Sequence, residues 1–197
     1  MTTSSTTLRL GIDLDGVVAD FNHGWTWRYN RDFAHLIDEP LTAGHVVEWD
    51  APTILTHFDT MDEFWVWAET CAEGRSIFHG LDPYPGAVDA LHRLRNAGHH
   101  LVILTTKPDF AISDTYHWLG RHDIPATEIH LLDDKTAVSC DIYLDDAAHN
   151  LEALVPARPE AVVCRYVQPW TGPIDGTVEV HSWSDFESHV EHHASKR

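Results

Sequence analysis

A short, largely apolar run over residues 8–12 ends on two aspartates two positions apart, Asp13 and Asp15, followed by Gly16. A run of that length reads as a buried strand. A buried strand that ends on two mutually repelling carboxylates constrains both the fold and the chemistry. The pattern recurs along the chain. HLVILTT (100–106) is a continuous apolar strand ending on Thr105 and Thr106, and DIYLDD (141–146) is another, ending on Asp145 and Asp146. IHLL (129–132), AVVCR (161–165) and VEVH (178–181) read as further strands. The sequence predicts a helix over 85–97, with Pro85 near its first turn, apolar residues at 87, 88, 91 and 94, and Gly98 as its stop. Others are predicted over 113–122, with Ser113 as cap, over 148–154, and from about residue 183. Continuous apolar strands alternating with amphipathic helices predict an α/β fold, a parallel sheet covered on both faces. Ligands bind such sheets at the carboxyl ends of the strands, and the three polar clusters converge at that edge.

Residues 21–80 break the alternation and hold five of the eight tryptophans: Trp25, Trp27, Trp49, Trp65 and Trp67. They predict a small helical cap inserted after the first strand, with the α/β core formed by 1–20 and 81–197. The cap tryptophans are expected mainly as packing, because large aromatics chiefly supply buried area. Trp118 and Trp183 read the same way. The His-rich end, HVEHHASKR, reads as a frayed helix.

Net charge bounds the partners. At −18, the chain is a poor match for nucleic-acid polymers or anionic membranes. No apolar run approaches the roughly 20 residues of a membrane span. The start, MTTSSTT, has neither a charged nor an apolar signal region. Three widely spaced cysteines, Cys71, Cys140 and Cys164, form no CxxC pair. They read as core thiols in a reducing compartment, and the expected location is the cytoplasm. A homodimer is compatible with the sequence.

Four carboxylates at one sheet edge repel unless a cation joins them, and hard oxygen ligands suit Mg²⁺. With a cation in place, Asp13 can attack phosphorus to give an aspartyl-phosphate. Asp15, past the strand end, can protonate the leaving oxygen and later deprotonate water. Thr105 and Thr106 offer hydroxyl and N–H groups to phosphate. Only three of the 13 basic residues are lysines, Lys107, Lys135 and Lys196. The first two lie beside this anion site, where a point charge suits phosphate.

DLDGVVADF, LTT, DKT and LDD, in that order, resemble the four motifs of the haloacid dehalogenase superfamily, and Asp15 favours its phosphatase branch. FHGLDPYPGAVDAL (78–91), TYHWLGRH (115–122), DKTAVSCDIYLDD (134–146) and HSWSDF (181–186) resemble the 5′(3′)-deoxyribonucleotidase family. The resemblance implies a Rossmann-like core, a small helical cap, Mg²⁺ dependence and hydrolysis of nucleoside monophosphates. It makes Asp13 nucleophile and metal ligand, Asp15 acid/base and metal ligand through its carbonyl, Asp146 a metal ligand and Asp145 its support. It makes Thr105 and Thr106 phosphate ligands and Lys135 the balancing charge. Phe21, Phe64, Trp65 and Val66 become substrate contacts. Two departures stand out. The family reads Thr-Ser-Pro after strand two, whereas this chain reads Thr-Thr-Lys-Pro, and Lys107 is an added candidate for phosphate. Ala147 and Ala148 follow Asp146 where an arginine is the family's residue.

Plainer readings stand beside these. A DxDG tripeptide also opens calcium loops, but the calcium-loop glutamate is missing: Gly24 and Trp25 occupy that place. Asp133 and Asp134 read as solvated loop carboxylates, and His23 as an ordinary loop histidine. The alternative functions are a phosphatase for another small phosphate ester in a biosynthetic pathway, and a non-catalytic phosphate-binding regulator.

Overall fold

The computed structural model describes residues 6–70 and 74–196; Cys71 and residues 1–5 lie outside them. Six strands, β1 (Arg9–Ile12), β2 (His100–Thr105), β3 (Glu128–Leu131), β4 (Ile142–Asp145), β5 (Val162–Tyr166) and β6 (Val178–Val180), form one sheet. Its order is β3-β2-β1-β4-β5-β6, and every neighbouring pair is parallel. The central strands are apolar throughout because both of their faces are covered: Leu10, Ile12, Leu101, Val102 and Ile103 have no solvent exposure. Gly11 is required by this crowding, since a Cβ there would lie 2.9 Å from Leu104 and 3.0 Å from Tyr143.

Among the described residues seven helices accompany the sheet: α1 (Phe21–Asp32), α2 (Ala51–Leu55), α3 (Met61–Glu69), α4 (Ala87–Asn96), α5 (Ile112–Arg121), α6 (Ala148–Ala157) and α7 (Trp183–Ser195). The stripe Ala87, Ala90, Leu91 and Leu94 buries α4. Ser113 is not the cap of α5. A 3₁₀ turn over Asp109–Ala111 already orients the chain, so the helix starts after Ala111 and Ser113 is exposed within it. The histidine-rich end is not frayed either: Ser182 caps α7, and Val190 and Ala194 bury its last turns. Trp118 and Trp183 are buried packing residues, and the Trp118 indole N–H donates to the Leu81 carbonyl at 2.7 Å. Burial pushes the Cys140 and Cys164 thiols up, to about 11 and about 12, which makes both inert core residues.

Between β1 and α4, the described residues of 21–80 hold α1, α2, α3 and 3₁₀ turns at 34–36, 43–45 and 77–80. Their aromatic side chains pack on one another. Phe64 is fully buried, edge-on to Phe21 and to Trp25 at 6.3 and 6.0 Å between centroids. The Arg28 guanidinium lies 4.5 Å from the centre of the Trp67 ring and donates to the Trp67 carbonyl at 3.0 Å. Among the described residues no helix is long and apolar enough to cross a membrane.

Candidate active site

The strand order reverses at β1, which pairs β2 on one side and β4 on the other. This switch point opens a crevice at the carboxyl ends of the strands. Asp13 follows β1 directly and donates its N–H to the Leu144 carbonyl at 3.0 Å, which places it beside the end of β4. The chain then turns sharply, with the N–H groups of Val18 and Ala19 both on the Leu14 carbonyl at 2.8 Å. Gly16 makes this turn at φ +76°, and a Cβ there would lie 2.3 Å from a carboxylate oxygen of Asp146. Both the left-handed backbone and the close approach favour glycine here.

The Lys135 ammonium comes from a 3₁₀ turn that Asp134 caps. It is 3% exposed and sits 2.9 Å from Asp13 Oδ1 and 2.6 Å from Asp145 Oδ2. Asp145 also accepts from the Ala147 N–H at 2.9 Å and the Asn150 amide at 3.2 Å, so its role here is to hold the lysine. Asp146 Oδ2 accepts from the Trp170 indole at 2.7 Å, and its carbonyl accepts from the Thr171 hydroxyl. Oxygens of Asp13, Asp145 and Asp146 lie within 4.8 Å of one another.

Three buried carboxylates share one buried ammonium. Burial pushes Asp13 up to about 7, Lys135 draws it back, and Asp145 and Asp15 add to the rise. Burial and the charges of Asp13 and Asp145 push Asp146 well above the usual carboxylate range. Burial lowers the Lys135 ammonium, but Asp13 and Asp145 outweigh it and hold the proton on. The excess negative charge and an all-oxygen donor set fit a hard cation. Of the three clustered carboxylates, Asp13 and Asp146 line the adjoining cavity.

That cavity holds about 380 Å³. Asp13, Asp15, Lys135 and Asp146 line it, and so do Phe21, Trp25, Met61, Trp65 and Phe78. Phe21 and Phe78 stack at 5.5 Å, and Phe78 and Trp65 at 6.2 Å, forming a wall of nearly parallel rings. Trp49 and His149 meet edge-to-face at 5.6 Å where residues of 21–80 approach α6, and both line the cavity.

The predicted residues divide accordingly. Thr106 lines the cavity, whereas Thr105 is the last residue of β2 and is buried behind it with its hydroxyl unpartnered. Lys107 is not on the cavity; it pairs with Asp15 beneath the Phe78 ring. Phe64 lies in the packed interior of the aromatic segment, and Val66 is 72% exposed on the opposite side, so of the triplet only Trp65 faces the cavity. Asp134 is a cap, and His23 is exposed on α1. Trp170 and Asn150 were invisible in the motifs. Trp170 comes from the loop after β5, which had only its position at a carboxyl strand end to recommend it.

Residues 7–195 match the family model described as 5′ nucleotidase, deoxy (Pyrimidine), cytosolic type C protein. The human 5′(3′)-deoxyribonucleotidase, cytosolic type, is 28% identical over 145 residues, covering 71% of this chain and 70% of that protein. The mouse mitochondrial 5′(3′)-deoxyribonucleotidase is 28% identical over 162 residues, covering 73% of this chain; the chain spans 66% of the mouse protein's length. Among solved structures, a haloacid-dehalogenase-family hydrolase from Deinococcus radiodurans, with bound phosphate and sodium, superposes with a TM-score of 0.65 at 13% identity. That match covers 97% of this chain and 98% of the other, and it is a likeness of fold. The match across nearly the whole chain places it in one family: the chain belongs to the deoxy (pyrimidine) 5′ nucleotidases of cytosolic type C, which are phosphoric monoester hydrolases.

Proposed function

We propose that the chain hydrolyses nucleoside monophosphates, deoxyribonucleotides above all, through an aspartyl-phosphate on Asp13 with Mg²⁺ as cofactor. One observation carries this reading: a buried, lysine-paired aspartate and a wall of stacked rings line the same cavity. Residues 21–80 act as the cap that supplies that wall. A planar base stacks on Phe21, Phe78 and Trp65 while its phosphate reaches Asp13.

Lys135 holds Asp13 Oδ1, which leaves Oδ2 to attack phosphorus. The ester bond breaks, and the departing oxygen takes a proton from Asp15 to leave as an alcohol. Water then attacks the phosphorus of the acyl phosphate, gives its proton to Asp15, and inorganic phosphate departs with Asp13 regenerated. Thr106 and the N–H groups after β2 hold the phosphate oxygens. Asp13, Asp146 and the Asp15 carbonyl would hold Mg²⁺, which would offset the phosphate charge when bound. The cytoplasm is the proposed location, supported by the free buried thiols.

Phosphate release tests the reading, across ribo- and deoxyribonucleoside 5′- and 3′-monophosphates and a set of sugar phosphates, with Asp13→Asn as blank. A preference for deoxyribonucleotides is expected. Release from sugar phosphates alone would transfer the chemistry to another small ester.

A second expected result concerns the metal. The folded chain holds Asp13 above its unfolded range, so its extra bound proton stabilises it at low pH, and that contribution fades as pH rises through about 7. A cation takes the proton's place. The gain in thermal midpoint on adding Mg²⁺ should therefore grow from about pH 5 to about pH 8; a gain independent of pH would count against Asp13 as a ligand.

A further inference from the structure

Lys107 stands where sequence resemblance suggested a phosphate ligand, yet its side chain is 2% exposed and turned away from the cavity. Its ammonium lies 4.2 Å from the centre of the Phe78 ring and is ion-paired with Asp15 Oδ2. A cation on an aromatic face with a carboxylate partner, out of water, is held in one place. The pair ties the turn after β1 to the loop after β2. It also ties Asp15 to Phe78, a member of the ring wall. Asp15 Oδ1 is buried and has no partner.

From this geometry we infer that Lys107 is a positioning residue: it pins Oδ2 of Asp15 and so presents Oδ1 to the ester oxygen of the substrate. This rests on the proposed role of Asp15 as proton donor and acceptor. The proton passes from Asp15 to the departing oxygen as the ester bond breaks, and a water proton restores it; Lys107 itself exchanges nothing.

The leaving group separates positioning from mere packing. A nucleoside 5′-monophosphate expels an alkoxide that needs a proton, whereas p-nitrophenyl phosphate expels a stabilised phenolate that does not. The ratio kcat/KM covers steps up to loss of the leaving group, so hydrolysis of the acyl phosphate does not enter it. Lys107→Met is expected to lower kcat/KM about 30-fold on the nucleotide and less than about 3-fold on the aryl ester, a fraction of the full effect of a general acid. Lys107→Arg should regain most of the loss, because it restores a cation at the same site. Asp15→Asn combined with Lys107→Met should be no slower than Asp15→Asn alone, because the lysine acts through the aspartate. Equal losses on both esters, or additive losses in the double variant, would overturn the assignment of Lys107 and leave the phosphatase reading intact. Full activity of Asp15→Asn would overturn the role of Asp15, and this inference with it. Thermal midpoints of each variant, measured alongside, show that the fold is retained.

Discussion

Asp13→Asn is expected to lower phosphate release at least about 10⁴-fold, the scale of losing a covalent nucleophile, without destabilising the protein. The two effects have one origin. Asp13 is held in a buried cluster of three carboxylates around one ammonium, and burial raises its proton affinity to about 7. At pH 8 its charge is fully present and unfavourable for folding in the absence of a cation. Asparagine keeps the shape and an oxygen for Lys135 and removes that charge. The thermal midpoint of the metal-free variant at pH 8 should therefore equal or exceed that of the wild type. A drop in midpoint together with the lost turnover would mean that Asp13 is a structural residue. Retained turnover would remove it as the nucleophile.

Lys135→Met should do the opposite to stability. The ammonium bridges Asp13 and Asp145 at 2.9 and 2.6 Å from a position almost without solvent. Its removal leaves buried carboxylates facing one another with no counter-charge. Breaking a buried pair in this way costs about 3–5 kcal/mol, which in a chain of this size lowers the midpoint by roughly 10 °C. Turnover should fall as well, since Asp13 loses the group that orients it. Added Mg²⁺ should recover part of the stability but not the turnover, because a cation can offset the charge without re-seating the nucleophile. Denaturation followed by circular dichroism with and without Mg²⁺ checks both statements. An unchanged midpoint would show that the cluster does not depend on the lysine for its charge balance.

The strands were legible because a parallel strand covered on both faces is apolar along its whole length. LVIL inside β2 and IYL inside β4 can hardly be anything else once they are bounded by polar residues. The carboxylates were legible for the same reason: a strand that ends on charge points to the edge where ligands bind. The less legible residues were those whose direction is fixed by local geometry. Successive helical residues point about 100° apart, so Phe64, Trp65 and Val66 in α3 could not all face one cavity; one is buried, one lines it and one meets solvent. Thr105 and Thr106 are neighbours at a strand end, where adjacent side chains face opposite ways, and only Thr106 reaches the cavity. The path of Lys107 depends on where the loop after β2 sends a long side chain. Trp170 reaches Asp146 from a loop with no motif at all. Sequence spacing conveys which elements meet at an edge; it does not convey rotation about their axes.

The central place of β1 also bears on how the molecule is made. The Leu8 N–H meets His99 across 91 positions of chain, and the Arg9 N–H meets Asp141 across 132. Such distant pairings are slow to form, because the intervening loop must be closed before any contact offsets that loss of entropy. During synthesis the strand before Asp13 therefore leaves the ribosome well ahead of β2 and β4, the two strands that pair with it. Only when β4 has left the ribosome do Lys135, Asp145 and Asp146 reach Asp13. Nascent chains shorter than this therefore carry no assembled charge cluster, and the proposed chemistry is confined to molecules whose sheet is complete.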